Sequence, residues 1–377
     1  MRILIAPDSF KESLTASEVA NCIAEGIRRV APIAQIKQLP LSDGGEGLVE
    51  TLTVAMGGQI MEHEVTAPML KRVKAKFGVV GGHTAIIEMA EASGLALVPA
   101  AERNPLKATS FGTGELIRVA LDLGCKRLII GIGGSATNDG GAGMAQALGV
   151  RMLNVQGEDI VPGAAGLLEL AAIDMSLVDP RLSRTEIRVA CDVTNPLCGP
   201  RGAARVYGPQ KGASTAEVDI MDKALAKMAQ IVKRDMGLDI DEVPGAGAAG
   251  GLGAGLNAFT GADLQPGLEL VLDILQFHSL LSDGQDLIIT GEGEINGQSL
   301  YGKVTVGVAR QARNYNIPVI AIVGNIGSDV GQVYAEGINA IMSIAPGPIT
   351  REESIARAGE LITDATERVM RLFVLLR

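Results

Sequence analysis

The chain has no tryptophan, and aromatic residues make up only 3% of its 377 positions. Proteins that grip single-stranded nucleic acid stack bases on such rings, so that class is excluded. Basic charge is also in deficit: 33 Lys and Arg against 43 Asp and Glu give a formal charge of −10. A surface of that sign repels phosphate backbones, which removes nucleic acid as a partner but says nothing of a local pocket that gathers lysines. The cysteines, Cys22, Cys125, Cys191 and Cys198, form no C-x-x-C pair, and the three histidines, His63, His83 and His278, form no H-x-x-x-H. Neither a disulfide framework nor a zinc site is signalled, and a reducing, cytoplasmic setting fits. Those histidines and the methionines read as packing or surface. Long hydrophobic runs are missing too. The opening Arg2-Ile-Leu-Ile-Ala6 is bounded by Asp8 and is far too short for a signal-peptide core. The longest uncharged stretch, Pro244 to Ala262, is interrupted by seven glycines. It reads as tight packing or ligand contact rather than as a membrane span.

What is present is an aliphatic α/β composition, 47% apolar, on a chain longer than one compact core usually holds. Two domains with a ligand cleft between them are expected. Ile3-Leu-Ile5 reads as a strand, and Thr15-Ala-Ser-Glu18 as a capping box before a helix with Val19, Ala20, Ile23, Ile27 and Val30 at helical spacing. A second strand ends near Leu39, and a helix follows to Met56. From Gln59 to Met89 the pattern changes to short β-rich runs, Val73 to Val80 and Thr84 to Met89, as in antiparallel or mixed sheets. Leu128 to Ile132, Ile187 to Ala190 and an Ala216 to Met236 helix continue that region. Strand-helix alternation resumes at Asp286 to Thr290, with a helix over Val304 to Asn314, strands at Val319 to Val323 and Ala340 to Ile344, and a closing helix from Ser354 to Phe373. The fold class expected is a doubly wound, Rossmann- or flavodoxin-like parallel-sheet domain (1–58 and 282–377). A second, mixed-sheet α/β domain (59–281) interrupts it.

Glycine contributes 48 residues, clustered in loops after apolar strands. Such clustering is expected where a backbone comes close to a ligand. Asp8-Ser9-Phe10-Lys11-Glu12-Ser13 joins a carboxylate, a cation and two hydroxyls at a strand's end, suited to an anion or an attacking hydroxyl. An acidic turn with a solvated lysine is the plain alternative. Ser42-Asp43-Gly44-Gly45-Glu46-Gly47 repeats the arrangement, although D-G-G is also a common turn. Gly131 to Gly143 is the densest loop. Its glycines, with Ser135, Thr137, Asn138 and Asp139, make a nest of donors for phosphate or substrate, with amides expected from Gly133, Gly134 and on to Gly141. Cys191-Asp192-Val-Thr-Asn195-Pro196, followed by Gln210-Lys211-Gly212, suits Mg²⁺, a hydroxy acid or a phosphate. An Asn-Pro turn serves as well. In Thr290-Gly-Glu292-Gly-Glu294-Ile-Asn296 and on to Gly302-Lys303-Val304, G-x-x-x-x-G-K nearly matches a phosphate-binding loop. Val304 stands where that motif needs Ser or Thr, however, and the strand ends too early.

Taken in order, Ala6-Pro-Asp-Ser-Phe-Lys-Glu-Ser13, Asp43-Gly-Gly-Glu-Gly47, Ile132 to Gly143, Ala190-Cys-Asp-Val-Thr-Asn-Pro196, Gly208-Pro-Gln-Lys-Gly212, Pro244 to Gly251 and Gly291-Glu-Gly293 closely resemble the bacterial type I glycerate kinases over essentially the whole chain. The resemblance implies transfer of a phosphoryl group from MgATP to the 2-hydroxyl of D-glycerate, in a cleft between two α/β domains. It implies ATP and Mg²⁺, no nucleic acid or membrane partner, and is compatible with a homodimer. Phosphoryl transfer needs positioned phosphates, neutralised charge and an oriented nucleophile. On that basis Asp8 or Asp192 orients or deprotonates the hydroxyl, with Lys11 beside it, and Asp43 and Asp192 hold Mg²⁺. Ser9, Ser13, Gly133, Gly134, Ser135, Asn138, Asp139, Asn195, Lys211, Glu292, Asn296 and Lys303 contact substrate or phosphate.

The family usually reads G-E-G-R-I-D across 291 to 296, where this chain has Glu294 and Asn296. An amide cannot take a proton. A base at 296 would leave the chain crippled, whereas one at Asp8, Asp43 or Asp192 would not. Two rival readings stand beside the kinase. One is a nicotinamide-dependent hydroxy-acid oxidoreductase, resting on Gly131-x-Gly133-x-x-Ala136 but lacking the acidic residue such a motif needs further on. The other is a catalytically impaired ligand-binding member, suggested by Glu294 and Asn296.

Overall fold

The computed structural model describes residues 1–300 and 302–375. Its internal contacts divide the chain into unit 1, Met1–Asp43 with Leu268–Arg377, and unit 2, Gly44–Gly267. Both crossings fall earlier than 58 and 282. The helix Leu48–Ala55 packs against strands Arg72–Val80 and Thr84–Glu88 of unit 2, and buried Leu48 and Leu52 give it an apolar face for that sheet. At the second crossing, Leu268 abuts Gly307 of a unit 1 helix.

Unit 1 is a five-stranded parallel sheet in the order Ala340–Ser343, Val319–Ile326, Leu287–Ile295, Arg2–Ile5, Gln35–Gln38. Within the unit this is the flavodoxin-like order, and the direction of winding reverses between Arg2–Ile5 and Leu287–Ile295. Ligands of open α/β sheets bind at that switch point, beyond the carboxyl ends of the strands. The helix Ala16–Val30 starts at the capping box read from sequence: Glu18 N donates to Thr15 Oγ1 at 3.3 Å and Thr15 N to Glu18 Oε2 at 2.8 Å. Its buried Val19, Ile23 and Ile27 share a core with Ile3, Ile5, Ile289 and, from the helix Ala358–Leu375, Leu361, Ile362 and Val369. The expected Ser354 to Phe373 helix is two helices, Arg351–Ala356 and Ala358–Leu375, separated at Arg357. The segment from Gly291 to Ile295, read as loop, is strand: Gly291 pairs with Ile322 and Ile295 with Ile326.

Unit 2 holds a six-stranded mixed sheet in the order Asp263–Gln265, Glu186–Ala190, Arg127–Gly131, Thr84–Glu88, Arg72–Val80, Gln59–Thr66. The first four run parallel, and the last two are joined antiparallel. The glycine-rich 244–262 segment forms the helix Ala248–Thr260, whose first turn is bent through left-handed Ala249, Gly250 and Gly251. A side chain at Gly250 (φ +70°) would collide with the Thr137 carbonyl, so glycine here lets the bent turn lie on the 131–143 loop. No helix among the described residues is long and apolar enough to cross a membrane.

Candidate active site

Each unit carries a cavity at the carboxyl ends of its parallel strands. That of unit 1, about 570 Å³, lies at the switch point and is lined by Asp8, Ser9, Lys11, Ser13, Asp43, Glu292 and Lys303 among others. Asp8 is placed by its own backbone: its amide donates to the Gly291 carbonyl of the neighbouring strand at 2.8 Å. Its carboxylate accepts the Ser9 amide at 2.7 Å. Burial raises the Asp8 carboxyl to about 7, the charge of Asp43 adds to this, and the Ser9 bond opposes it. Deprotonated Asp8 is therefore a base matched to neutral pH.

Glu292 and Lys303 form an ion pair at 2.9 Å, the carboxylate buried and the ammonium partly exposed. Lys303 also donates to the Glu294 carbonyl at 3.3 Å, and it stands immediately before the helix Val304–Arg313. Burial raises the Glu292 carboxyl, and Lys303 opposes that shift. Among the described residues Glu292 Oε1 has no hydrogen-bond partner, although Thr305 and Ser299 lie near enough to favour its charged form. A buried oxygen left in this state is costly unless something donates to it. Lys303 is thus tied to a carboxylate rather than held in a phosphate-binding loop.

Asn296 does not line this cavity. Its Oδ1 accepts the Gln298 amide at 2.9 Å and its Nδ2 donates to Glu294 Oε1 at 2.7 Å. Asn325 Nδ2 donates to Glu294 Oε2 at 3.1 Å, and these bonds lower the Glu294 carboxyl, Asn325 first. Ser13 does face the cavity, but its hydroxyl donates to Ile355 O at 3.1 Å. Sequence reasoning missed Asn325, Thr350 and Arg351, which also line it. A signal was present in Thr350-Arg-Glu-Glu353, since Thr350 caps the following helix by accepting the Glu353 amide at 3.1 Å. Arg351 pairs with Glu12 at 2.7 Å, both well exposed.

The cavity of unit 2, about 350 Å³, is lined by Gly133, Gly134, Ser135, Asp192 and Lys211, with Cys191 and Tyr207. Lys211 is 2% exposed. Its ammonium donates to Ser135 Oγ and to the Thr137 carbonyl, both at 2.7 Å. Burial lowers this amine to about 7, and the charge of Asp139 resists the shift. The Asp192 carboxylate accepts the Gly267 amide at 2.8 Å.

Three residues expected at this site are not among those lining its cavity. Asp139 is fully buried and accepts from Ser110 N, Ser110 Oγ, Gly141 N and Gly143 N at 2.8 to 3.2 Å. Burial raises its carboxyl against those bonds. Asn195 donates to the Arg201 carbonyl and accepts from Tyr207 OH, both at 2.8 Å. Asn138 is fully buried, neither of its amide atoms has a partner among the described residues, and it does not line the cavity. Of the expected amide donors, Gly140 N is spent on the Gly250 carbonyl at 3.0 Å and Gly141 N on Asp139. Only the 133–135 half of the nest faces the cavity.

Among the described residues no three His, Cys, Asp or Glu side chains converge as a metal cluster. Mg²⁺ is usually held by one or two carboxylates plus phosphate oxygens and water. Asp43, half-buried in the cavity of unit 1, and Asp192, exposed at that of unit 2, are the hard oxygen donors expected for it.

The cavity of unit 1, rich in carboxylates and lysines, and that of unit 2, with Asp192 and Lys211, suit small polar or anionic ligands. Residues 3–374 match the model of the glycerate kinase family. The chain is 51% identical to a glycerate kinase of Bacillus subtilis strain 168, with 96% of this chain and 94% of that relative aligned. It is 50% identical to the glycerate 2-kinase of Escherichia coli K12, with 98% and 97% aligned. It also matches a Salmonella typhimurium LT2 crystal structure, provisionally described as glycerate kinase 2, at TM-score 0.91 and 49% identity, over 100% of this chain and 98% of that one. The chain belongs to the glycerate kinase family.

Proposed function

We propose that the protein phosphorylates D-glycerate with ATP to give 2-phospho-D-glycerate. The observation that carries this is Asp8, held at the switch point of unit 1 with its carboxyl raised to about 7. Close likeness to a relative named glycerate 2-kinase supports the 2-hydroxyl as acceptor. Asp8 orients the glycerate hydroxyl and takes its proton, with Asp192 as the alternative base. Lys11 and Lys303 neutralise charge on phosphate or carboxylate. Ser9 and Glu292 contribute polar contacts. Asp43, at the cavity of unit 1, and Asp192, at that of unit 2, are each proposed as a ligand of Mg²⁺, directly or through water; such an ion, when bound, would offset charge on phosphate oxygens.

The side chain of Asn296 is not among those lining the cavity and is held by Gln298 and by Glu294, which does line it, so the amide at 296 takes no base away from the lining. That supports an active enzyme over an impaired one. The reading is tested by incubating the protein with D-glycerate and MgATP and following the product by ³¹P NMR. The 2-phosphate is expected; formation of the 3-phosphate alone would overturn the regiochemistry.

A further inference from the structure

The ammonium of Lys211 is buried without a carboxylate within ion-pair distance among the described residues. Its two bonds go to a hydroxyl and a carbonyl. The nearest acid that acts on it, Asp139, already accepts from four donors. Burying a cation without a counter-charge is costly, and such an amine either gives up its proton or gains an anion as partner. Lys211 and Ser135 both line the cavity of unit 2, where that anion can enter.

The walls discriminate between anions. Among the described residues Lys211 is the one cation on the cavity wall, and Leu95, Ile132, Val193 and Ala248 supply apolar surface. The other titratable groups on that wall are Cys191, Asp192 and Tyr207, and Arg103 packs against Gly212 next to Lys211. One positive charge matches a carboxylate, whereas a doubly charged phosphate would be left half-neutralised by Lys211 alone.

We propose that Lys211 and Ser135 form the subsite that holds the carboxylate of the small hydroxy acid, so that the cavity of unit 2 selects a monoanionic acid rather than a phosphate. This rests on the reading of the chain as a kinase of D-glycerate. Ser135 Oγ and the ammonium grip the two carboxylate oxygens, and the Thr137 carbonyl fixes the direction of the amine.

The test is calorimetric titration of the full chain with D-glycerate, glycerol and inorganic phosphate, each without nucleotide, on wild type and on Lys211→Met and Ser135→Ala. D-glycerate binding should weaken about 10- to 100-fold in Lys211→Met and less in Ser135→Ala, as expected for hydrogen bonds to a charged group. Glycerol should not bind, and phosphate should not displace glycerate. Lys211→Met replaces a buried cation by an apolar chain and should fold. Should it not, the wild-type selectivity and Ser135→Ala decide alone. Unchanged glycerate affinity in a folded Lys211→Met, or displacement of glycerate by phosphate, would overturn the subsite while leaving glycerate-dependent ADP release intact. Absence of that release, with Lys211-dependent glycerate binding retained, would overturn the kinase reading and leave the subsite standing.

Discussion

The amide of Asp8 donates to the carbonyl of Gly291 at 2.8 Å, tying the carboxyl ends of two neighbouring parallel strands together where the winding of the sheet reverses. This bond uses the backbone alone, so Asp8→Asn keeps it. The variant should fold with near-wild-type stability and lose about 10²- to 10⁴-fold in turnover, the usual share of a general base. Purified Asp8→Asn with near-wild-type turnover would remove Asp8 from the mechanism.

The same residue sets a pH dependence. Its carboxyl is held at about 7, and the base must be ionised to act. Turnover per unit KM should therefore rise with pH through about 7 and level off above it. A profile flat between pH 6 and 8 would contradict that role.

Lys211 makes the opposite kind of prediction, because its amine loses its charge above about 7. An arriving carboxylate favours the charged form, so D-glycerate binding at pH 8 should take up a fraction of a proton, and little at pH 6. Calorimetry in two buffers of different ionisation enthalpy reads this directly, and Lys211→Met should abolish it.

Glu88, buried at the end of its strand, accepts the Val49 amide at 2.7 Å, and burial raises its carboxyl from 4.5 to about 7. Between those values the folded chain holds a proton that the unfolded chain has released, so this group's contribution to stability falls as pH rises from 4.5 to 7. Glu88→Gln keeps an acceptor for Val49 and cannot ionise. Its loss of stability across that range, measured by denaturant unfolding, should be smaller than in wild type; an identical loss would contradict the assignment.

Much of this was legible before any coordinates. The capping box at Thr15 and Glu18 marks its helix because both partners are three residues apart. The strand ends bearing Asp8 and Asp192 stand out by polarity after apolar runs, whereas the strand before Asp43 is the polar Gln35–Gln38. What stayed hidden depends on distant partners. Gly291 and Gly293 suggested a loop, yet they extend a strand, because the neighbouring strand supplies a ladder that glycine itself does not advertise. Asp139 resembled a phosphate-loop acid, but Ser110, 29 residues earlier, claims its carboxylate. Arg351 reaches the cavity of unit 1 from a helix at the far end of the chain.

Gly250 tests the packing account. Its φ of +70° and its contact with the Thr137 carbonyl leave no room for a methyl group. Gly250→Ala should cost about 2–4 kcal/mol of unfolding free energy. A loss below half a kcal/mol would show that the loop can move aside.

The central claim, a kinase acting on D-glycerate, is tested most directly by coupled ADP release with D-glycerate and MgATP. The account predicts ADP formation that saturates with D-glycerate and falls by orders of magnitude in Asp8→Asn. ADP release that is independent of D-glycerate, or absent altogether, would contradict it.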